Sequence, residues 1–411
     1  MKSTIEKIWY FLFSNIMWLY IIMGICTVFL GIYPMTFQLF MIVSTLFFFH
    51  IMNKIKMTNM LDLFVMLFII YILINSLLID YPHKWRLWYS AVFTNVLPML
   101  FYYIAKSTKY EIEDILRKAT IPIIIAMIFG LIVHYTRPGW YVAMVMRQIY
   151  DNYGGNTSDE VLMSMFRLSS FWSTPYVIGY AAIYYANYLL YNIFSANNNT
   201  KTKRNYFIIF ILTAVVILLT QFRATIYSLV LSLGYMMFFA KNKIRPAYII
   251  ITILASMLTV SVLFNESTAE GEYFKERMTK GLDKEHLEER LEHTGGDIDL
   301  NTTFGQGFGR HGGTARQYGY WAIQDSEYQK VAAELGAVGM IPFIGIIACA
   351  LLMSFRKKQL QLEFTIILFF AIAFMGSSCI SSETTFPFIF WYVLGRISLK
   401  NSNSYKKTIA R

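Results

Sequence analysis

Charge is what this chain lacks. Only 15% of its 411 residues are Asp, Glu, Lys or Arg, while 56% are hydrophobic; a soluble globular chain carries about 25% charged residues. A deficit of that size requires an apolar solvent. It is also uneven, because nearly uncharged runs of roughly 17 to 25 residues recur, the length that crosses a hydrocarbon core of about 30 Å. Cysteine is scarce as well: Cys26, Cys349 and Cys379 each fall inside an apolar run, which leaves no disulfide framework and no cysteine-based metal site. No glycine run is followed by Gly-Lys-Ser/Thr, so a P-loop is excluded. There is no internal repeat, no low-complexity tract beyond the Asn/Lys-rich turn 196–205, and no separate soluble domain. The first apolar run lacks a small-residue cleavage site and is followed by others, so it reads as an uncleaved helix. The expected fold is therefore all-α: a polytopic integral membrane protein with 1–411 as a single membrane domain.

The net charge of +11 raises nucleic acid as a partner, but its distribution excludes that. About twelve spans fit the apolar runs: 9–30, 36–52, 61–79, 88–105, 117–135, 174–194, 206–220, 223–240, 246–264, 332–354, 362–379 and 386–398. With the N-terminus inside, 22 of the 36 lysines and arginines lie in inner segments and 6 in short outer ones. The remainder sit in one long segment, which does not vote in the positive-inside rule. Both termini are thus expected in the cytoplasm.

The long segment, 265–331 between the ninth and tenth spans, is expected to be a large extracytoplasmic loop. It holds the charged run 272–292, the glycine-rich turn Phe304-Gly-Gln-Gly-Phe-Gly-Arg-His-Gly-Gly313, and Asp325-Ser-Glu-Tyr-Gln-Lys330 at its end. Loops of this length are functional or disordered, and the aromatic residues Phe304, Phe308, Tyr318, Tyr320, Trp321 and Tyr328 speak against disorder. It reads as the lid and part of the active site of a membrane enzyme. A second outer segment, 136–172, and the abrupt break Gln221-Phe-Arg223 complete the outer face.

Several residues here can carry chemistry. Arg223 stands between strongly apolar sequences. It either lines a functional cavity or snorkels from a tight outer turn. Arg167 precedes Pro175, a residue suited to the first helical turn. With Ser173 or Thr174 as a cap, it makes an anion site at a helix N-terminus, or it simply anchors at the interface. Gly305, Gly307 and Gly309 permit tight turns and close backbone approach. Asp325 and Glu327 are candidates for a general base or for orienting arginines, and Asp325 shares a face with Tyr328 if the helix has already begun. Asp297-Ile-Asp299 has the form of the metal-binding D-x-D but stands alone. His286, His293 and His311 lack metal-ligand spacing, so no metal is expected.

In order and topology these segments resemble the O-antigen polymerase (Wzy) and O-antigen ligase superfamily. Arg167-Leu-Ser-Ser-Phe-x-x-x-Pro175 is similar to its arginine-to-proline approach to a central span. Phe222-Arg-Ala-Thr225 is similar to its Ser-Arg-Gly/Ala turn. Gly305-x-Gly-x-Gly309, Asp325-x-x-Tyr328 and Glu334-Leu-Gly-Ala-Val-Gly339 are similar to its loop-to-span segment. The resemblance covers roughly 160–400. Phe222 stands where the family carries serine and Tyr176 where it carries asparagine. Asp325 stands where ligases carry histidine, which is polymerase-like.

The resemblance implies a metal-independent glycosyltransferase without cofactor. It would join undecaprenyl-diphosphate-linked oligosaccharide repeat units, donor to acceptor, at the outer face of the bacterial cytoplasmic membrane, for O-antigen, capsule or exopolysaccharide. Arg167, Arg223 and Arg310 would hold the diphosphate leaving group. Asp325, Glu327 and Tyr328 would serve the acceptor hydroxyl. Membrane lipid, a flippase and a chain-length regulator are the implied partners, and nucleic acid is not. The alternatives are a ligase-type glycan transferase and a flippase or transporter of lipid-linked sugars. The latter should show broken helices and charges deep in several spans.

Overall fold

A computed structural model describes residues 2–32, 35–153, 166–172, 174–194, 198–239, 272–273, 275, 299–300, 302–323, 326–380 and 386–402. The expected span 246–264, Asp297, Asp325, His286, His293, Ser173, most of 265–298 and the basic tail beyond Ser402 lie outside them. Every regular element among the described residues is helical. Four helices are long and apolar enough to cross a membrane, or six if each of two bent pairs counts as one span. Helices lie at the positions of the other expected spans. The described residues cluster into two compact units, one of 1–9, 40–112 and 288–411, the other of 10–39 and 113–287.

In the first unit, α1 (Lys2–Ser14) contributes its first turns and α3 (Thr36–Ile51) follows α2 (Ile16–Gly24) of the other unit. Helix α4 (Met60–Leu78) opens with a capping box, in which the Asn59 side chain accepts from the Asp62 N–H at 3.2 Å and Asp62 accepts from the Asn59 N–H at 3.2 Å. This closes the first turn. Helices α5 (Lys84–Ala91) and α6 (Leu97–Ser107) form one span through a π-turn at Val92–Val96. The extra residue falls where Pro98, lacking an N–H, would otherwise clash with the preceding turn.

Later in the chain, α13 (Glu327–Ser354) is capped by Ser326, whose hydroxyl accepts from the Gln329 N–H at 3.3 Å. It packs on α4 and on α14 (Gln361–Ala373), and α15 (Pro387–Asn401) packs on α6. Rings fill the interior: Phe40 meets Phe101 at 5.3 Å, Phe343 meets Phe374 at 5.5 Å, and Phe370 meets Phe390 at 4.7 Å. At one end of this unit, Asp62 binds Lys106 and Tyr102, Arg396 binds Glu111, and Lys400 binds Glu111 at 3.0 Å and Glu363 at 2.7 Å. The glycine-rich turn occupies the other end.

The second unit holds α7 (Ile112–Lys118), α8 (Thr120–Thr136), α9 (Gly139–Tyr153), α10 (Pro175–Phe194), α11 (Thr200–Leu219) and α12 (Arg223–Phe239), apart from Ile112 itself. Pro175 is the first residue of α10, as its fixed φ favours. Nearly every α10 side chain is buried, because α8, α11 and α12 surround it.

Candidate functional site

Residues 302–323 form a turn that is inserted into a broken helix. Inside α13, Gly336 takes φ 64°, ψ −167°, a conformation essentially confined to glycine. Carbonyls freed near that break meet the turn: Gln306 N–H donates to the Ala333 carbonyl at 2.7 Å and Gly307 N–H to that of Glu334 at 3.1 Å. In return the Ala337 and Val338 N–H groups donate to the Thr302 and Thr303 carbonyls, each at 3.1 Å. Gly305 has φ 81°, and a Cβ there would collide with the Glu334 carbonyl. The turn is also fastened to α4 and to the segment after it. Asn75 donates to the Phe304 carbonyl at 2.6 Å and accepts from the Phe308 N–H at 3.0 Å, while the Tyr81 hydroxyl donates to the Phe308 carbonyl at 2.6 Å.

Charged side chains converge where the turn meets α13. Glu334 accepts from the His311 backbone N–H at 2.9 Å. The His311 ring places Nδ1 2.8 Å from the Trp321 carbonyl and Nε2 2.8 Å from the Gln306 side-chain amide. Since a carbonyl only accepts, the neutral ring carries its proton on Nδ1, and the Gln306 amide then turns its NH2 group to donate to Nε2. Burial pushes the His311 pKa down. Glu334 and the Trp321 carbonyl oppose that, and Arg310 and Lys330 add to it. Burial likewise raises Tyr81, reinforced by Glu334 and Tyr320 and opposed by Arg310. Glu327, Lys330 and Glu334 are all buried on the first turns of α13, where charged side chains are seldom found unless they are paired.

The sequence-derived candidates fall as follows. The Arg310 guanidinium lies over the Tyr320 ring at 5.1 Å. Glu327 accepts from the Ile380 N–H at 3.2 Å. The Tyr328 hydroxyl donates to the Ala371 carbonyl at 3.3 Å, and its ring packs on Phe343 and Phe374. The helix begins at Glu327 after the Ser326 cap, and Asp325 lies outside the described residues. Gly307 and Gly309 have φ 114° and 89° and lie against Tyr81 and Leu87.

In the second unit the two arginine motifs interlock. The Leu168 N–H donates to the Leu219 carbonyl at 3.0 Å, Arg167 Nε to the Thr220 carbonyl at 2.9 Å, and the Gln221 amide to the Phe166 carbonyl at 3.2 Å. Arg223 is half-buried at the first residue of α12, just past that turn. Arg167 lies over the Tyr176 ring at 5.2 Å, and Tyr176 meets Phe222 edge-on at 5.3 Å. Tyr176 and Phe222, the two motif positions that depart from the superfamily pattern, therefore touch each other.

In the sequence, His311 was weighed only as a metal ligand, Glu334 only as the start of a family-like motif, and Lys330 was given no role. Their signal was present: Glu334 is a carboxylate inside an expected span, and Lys330 stands just before it. Compared with known families and curated proteins, the chain matches no family model and no curated protein.

Proposed function

We propose that this chain is a polysaccharide polymerase: a metal-independent glycosyltransferase that joins undecaprenyl-diphosphate-linked repeat units at the outer face of the cytoplasmic membrane. It would cross the membrane about twelve times with both termini inside. The observation that carries this reading is the backbone pairing of the Arg167 segment with the turn that launches Arg223. A diphosphate leaving group carries concentrated negative charge, and guanidiniums stabilise it in the absence of a metal. Asp325 or Glu327 is assigned to the acceptor hydroxyl as base or orienting group. In the first unit, the ion network of Lys106, Arg396 and Lys400 gathers at the end that the charge count puts inside, and the glycine turn at the opposite end, which supports the orientation.

Complementation of a polymerase-deficient strain at matched expression tests the arginines. Arg167→Ala and Arg223→Ala should each lower polymer output about 100- to 1000-fold, the typical loss of a transition-state contact. Lysine should not restore full activity, because it lacks the planar fork. Wild-type chain length from either alanine variant removes that residue from the proposal.

A second reading, a transporter of lipid-linked sugars, is favoured by the break at Gly336. Against it, carbonyls beside the break are occupied by the turn's own N–H groups. In a deletion strain, lipid-linked single repeats reaching the outer leaflet indicate polymerase, and repeats trapped inside indicate transporter.

A further inference from the structure

Two of the buried charges on the first turns of α13 have bonding capacity left over. Lys330 is 3% exposed, and its ammonium makes no hydrogen bond or ion pair among the described residues. A buried charge in that state is costly unless something meets it. Glu334, one helical turn further on, is 2% exposed and uses one carboxylate oxygen, Oε1, for the His311 N–H. Its Oε2 has no partner among the described residues. The two side chains stand at i and i+4 and both act on the His311 ring, yet no ion pair joins them among the described residues. Lysine before glutamate is the weaker order for such a pair. The unpartnered polar atoms that are fully enclosed around the glycine turn are Arg310 Nε and Thr302 Oγ1, so the tips of Lys330 and Glu334 reach open space.

The chemistry of the two tips selects what meets them. An ammonium only donates and an ionised carboxylate only accepts. A hydroxyl does both, accepting on its oxygen and donating its proton. A bare anion would be repelled by Glu334 and a cation by Lys330, whereas a neutral hydroxyl meets neither repulsion. Beside them, the Trp321 carbonyl is fixed by the His311 ring at 2.8 Å while its indole is 49% exposed. An exposed indole offers a flat apolar face. A pyranose carries hydroxyls around its edge and C–H groups on its faces, and so matches both features.

We propose that Lys330 and Glu334 clasp a hydroxyl of the acceptor sugar, Lys330 donating to its oxygen and Glu334 Oε2 accepting from its O–H, with a C–H face of the sugar against Trp321. This deepens the polymerase reading and rests on it. The reacting hydroxyl stays with Asp325 or Glu327, and the clasp takes a second hydroxyl of the same sugar. Glu327 stands one turn before Lys330 on α13, which puts both tasks on one helix end. Lys330 and Glu334 thereby bind and position the acceptor.

The test uses the full chain in phosphatidylcholine nanodiscs. Its probes are the lipid-linked single repeat extracted from a deletion strain and undecaprenyl diphosphate without sugar. The wild type should bind the repeat more tightly. Lys330→Met should weaken repeat binding about tenfold, the usual weight of one hydrogen bond to a charged group, and leave undecaprenyl diphosphate binding unchanged. Glu334→Gln, which keeps an oxygen for the His311 N–H, and Trp321→Ala should also weaken the repeat alone. Lys330→Met removes no bond that the described fold uses, so its unfolding midpoint should match the wild type, and it decides the matter if Glu334→Gln is unstable. In polymer synthesis Lys330→Met should raise KM and keep kcat. Repeat binding untouched by Lys330→Met overturns the proposal, because the ammonium then meets only water. Equal weakening of both probes overturns it too, because the ammonium then holds phosphate. Repeats that bind through the clasp but are never joined refute the polymerase reading and leave the clasp standing.

Discussion

Tyr176 joins three things at once: the Arg167 guanidinium above its ring, the Phe222 edge, and the first turn of α10. Aromatic pairs in this geometry couple by about 0.5–1.5 kcal/mol beyond their buried area. Tyr176→Asn and Phe222→Ser should therefore be non-additive, the double variant losing less unfolding midpoint than the two singles together. Strictly additive losses would show that the contact does not organise the arginine segment. The same test explains why neither departure was interpretable in the sequence, where each is an isolated difference and their 46-residue separation hides that they meet. A second prediction concerns His311. Its folded pKa lies below the ordinary 6.5, so the unfolded chain binds more protons as pH falls past that value. The stability contributed by the neutral ring is present above about pH 6.5 and is lost on acidification toward the folded pKa. The unfolding midpoint in detergent should drop more steeply from pH 7.5 to 5.5 in the wild type than in His311→Gln. Equal slopes would mean the ring does not titrate between the two states.

At the scale of elements, the informative object is α13 with the turn wedged into it. Gly336→Ala forces a side chain into a glycine-only backbone region, which costs about 1–3 kcal/mol before any clash. Gly305→Ala drives a methyl group into the Glu334 carbonyl. Both variants should lower the unfolding midpoint and raise protease susceptibility between 302 and 323, whereas Gly313→Ala, with open space around it, should leave both unchanged. Indistinguishable behaviour of Gly305→Ala and Gly313→Ala would dismiss the wedge. Much of the helical layout could be read from the sequence: α4 from its nearly uncharged run, α10 from Pro175. The wedge could not. A glycine in an apolar run carries no mark that a distant loop will use the carbonyls it frees, and Asn75 is bonded to residues 229 and 233 positions away.

For the whole molecule, the charge count makes a statement about sidedness that can be checked directly. In a cysteine-free background, a single cysteine at Arg316, exposed in the glycine-turn region, should react with an impermeant maleimide in whole cells. One at Gln359, exposed between α13 and α14, should react only after permeabilisation. The opposite pattern would invert the assignment of inner and outer ends.

The break at Gly336 has a further consequence in length. Beyond it α13 runs from Ala337 to Ser354, and at 1.5 Å per residue that piece is about 27 Å long, close to the about 30 Å of a hydrocarbon core. The apolar piece alone therefore suffices to cross, and the turns before the break, with Glu327, Lys330 and Glu334, need not enter lipid at all. One glycine divides a single helix into a part measured for the bilayer and a part free to hold charge beside it.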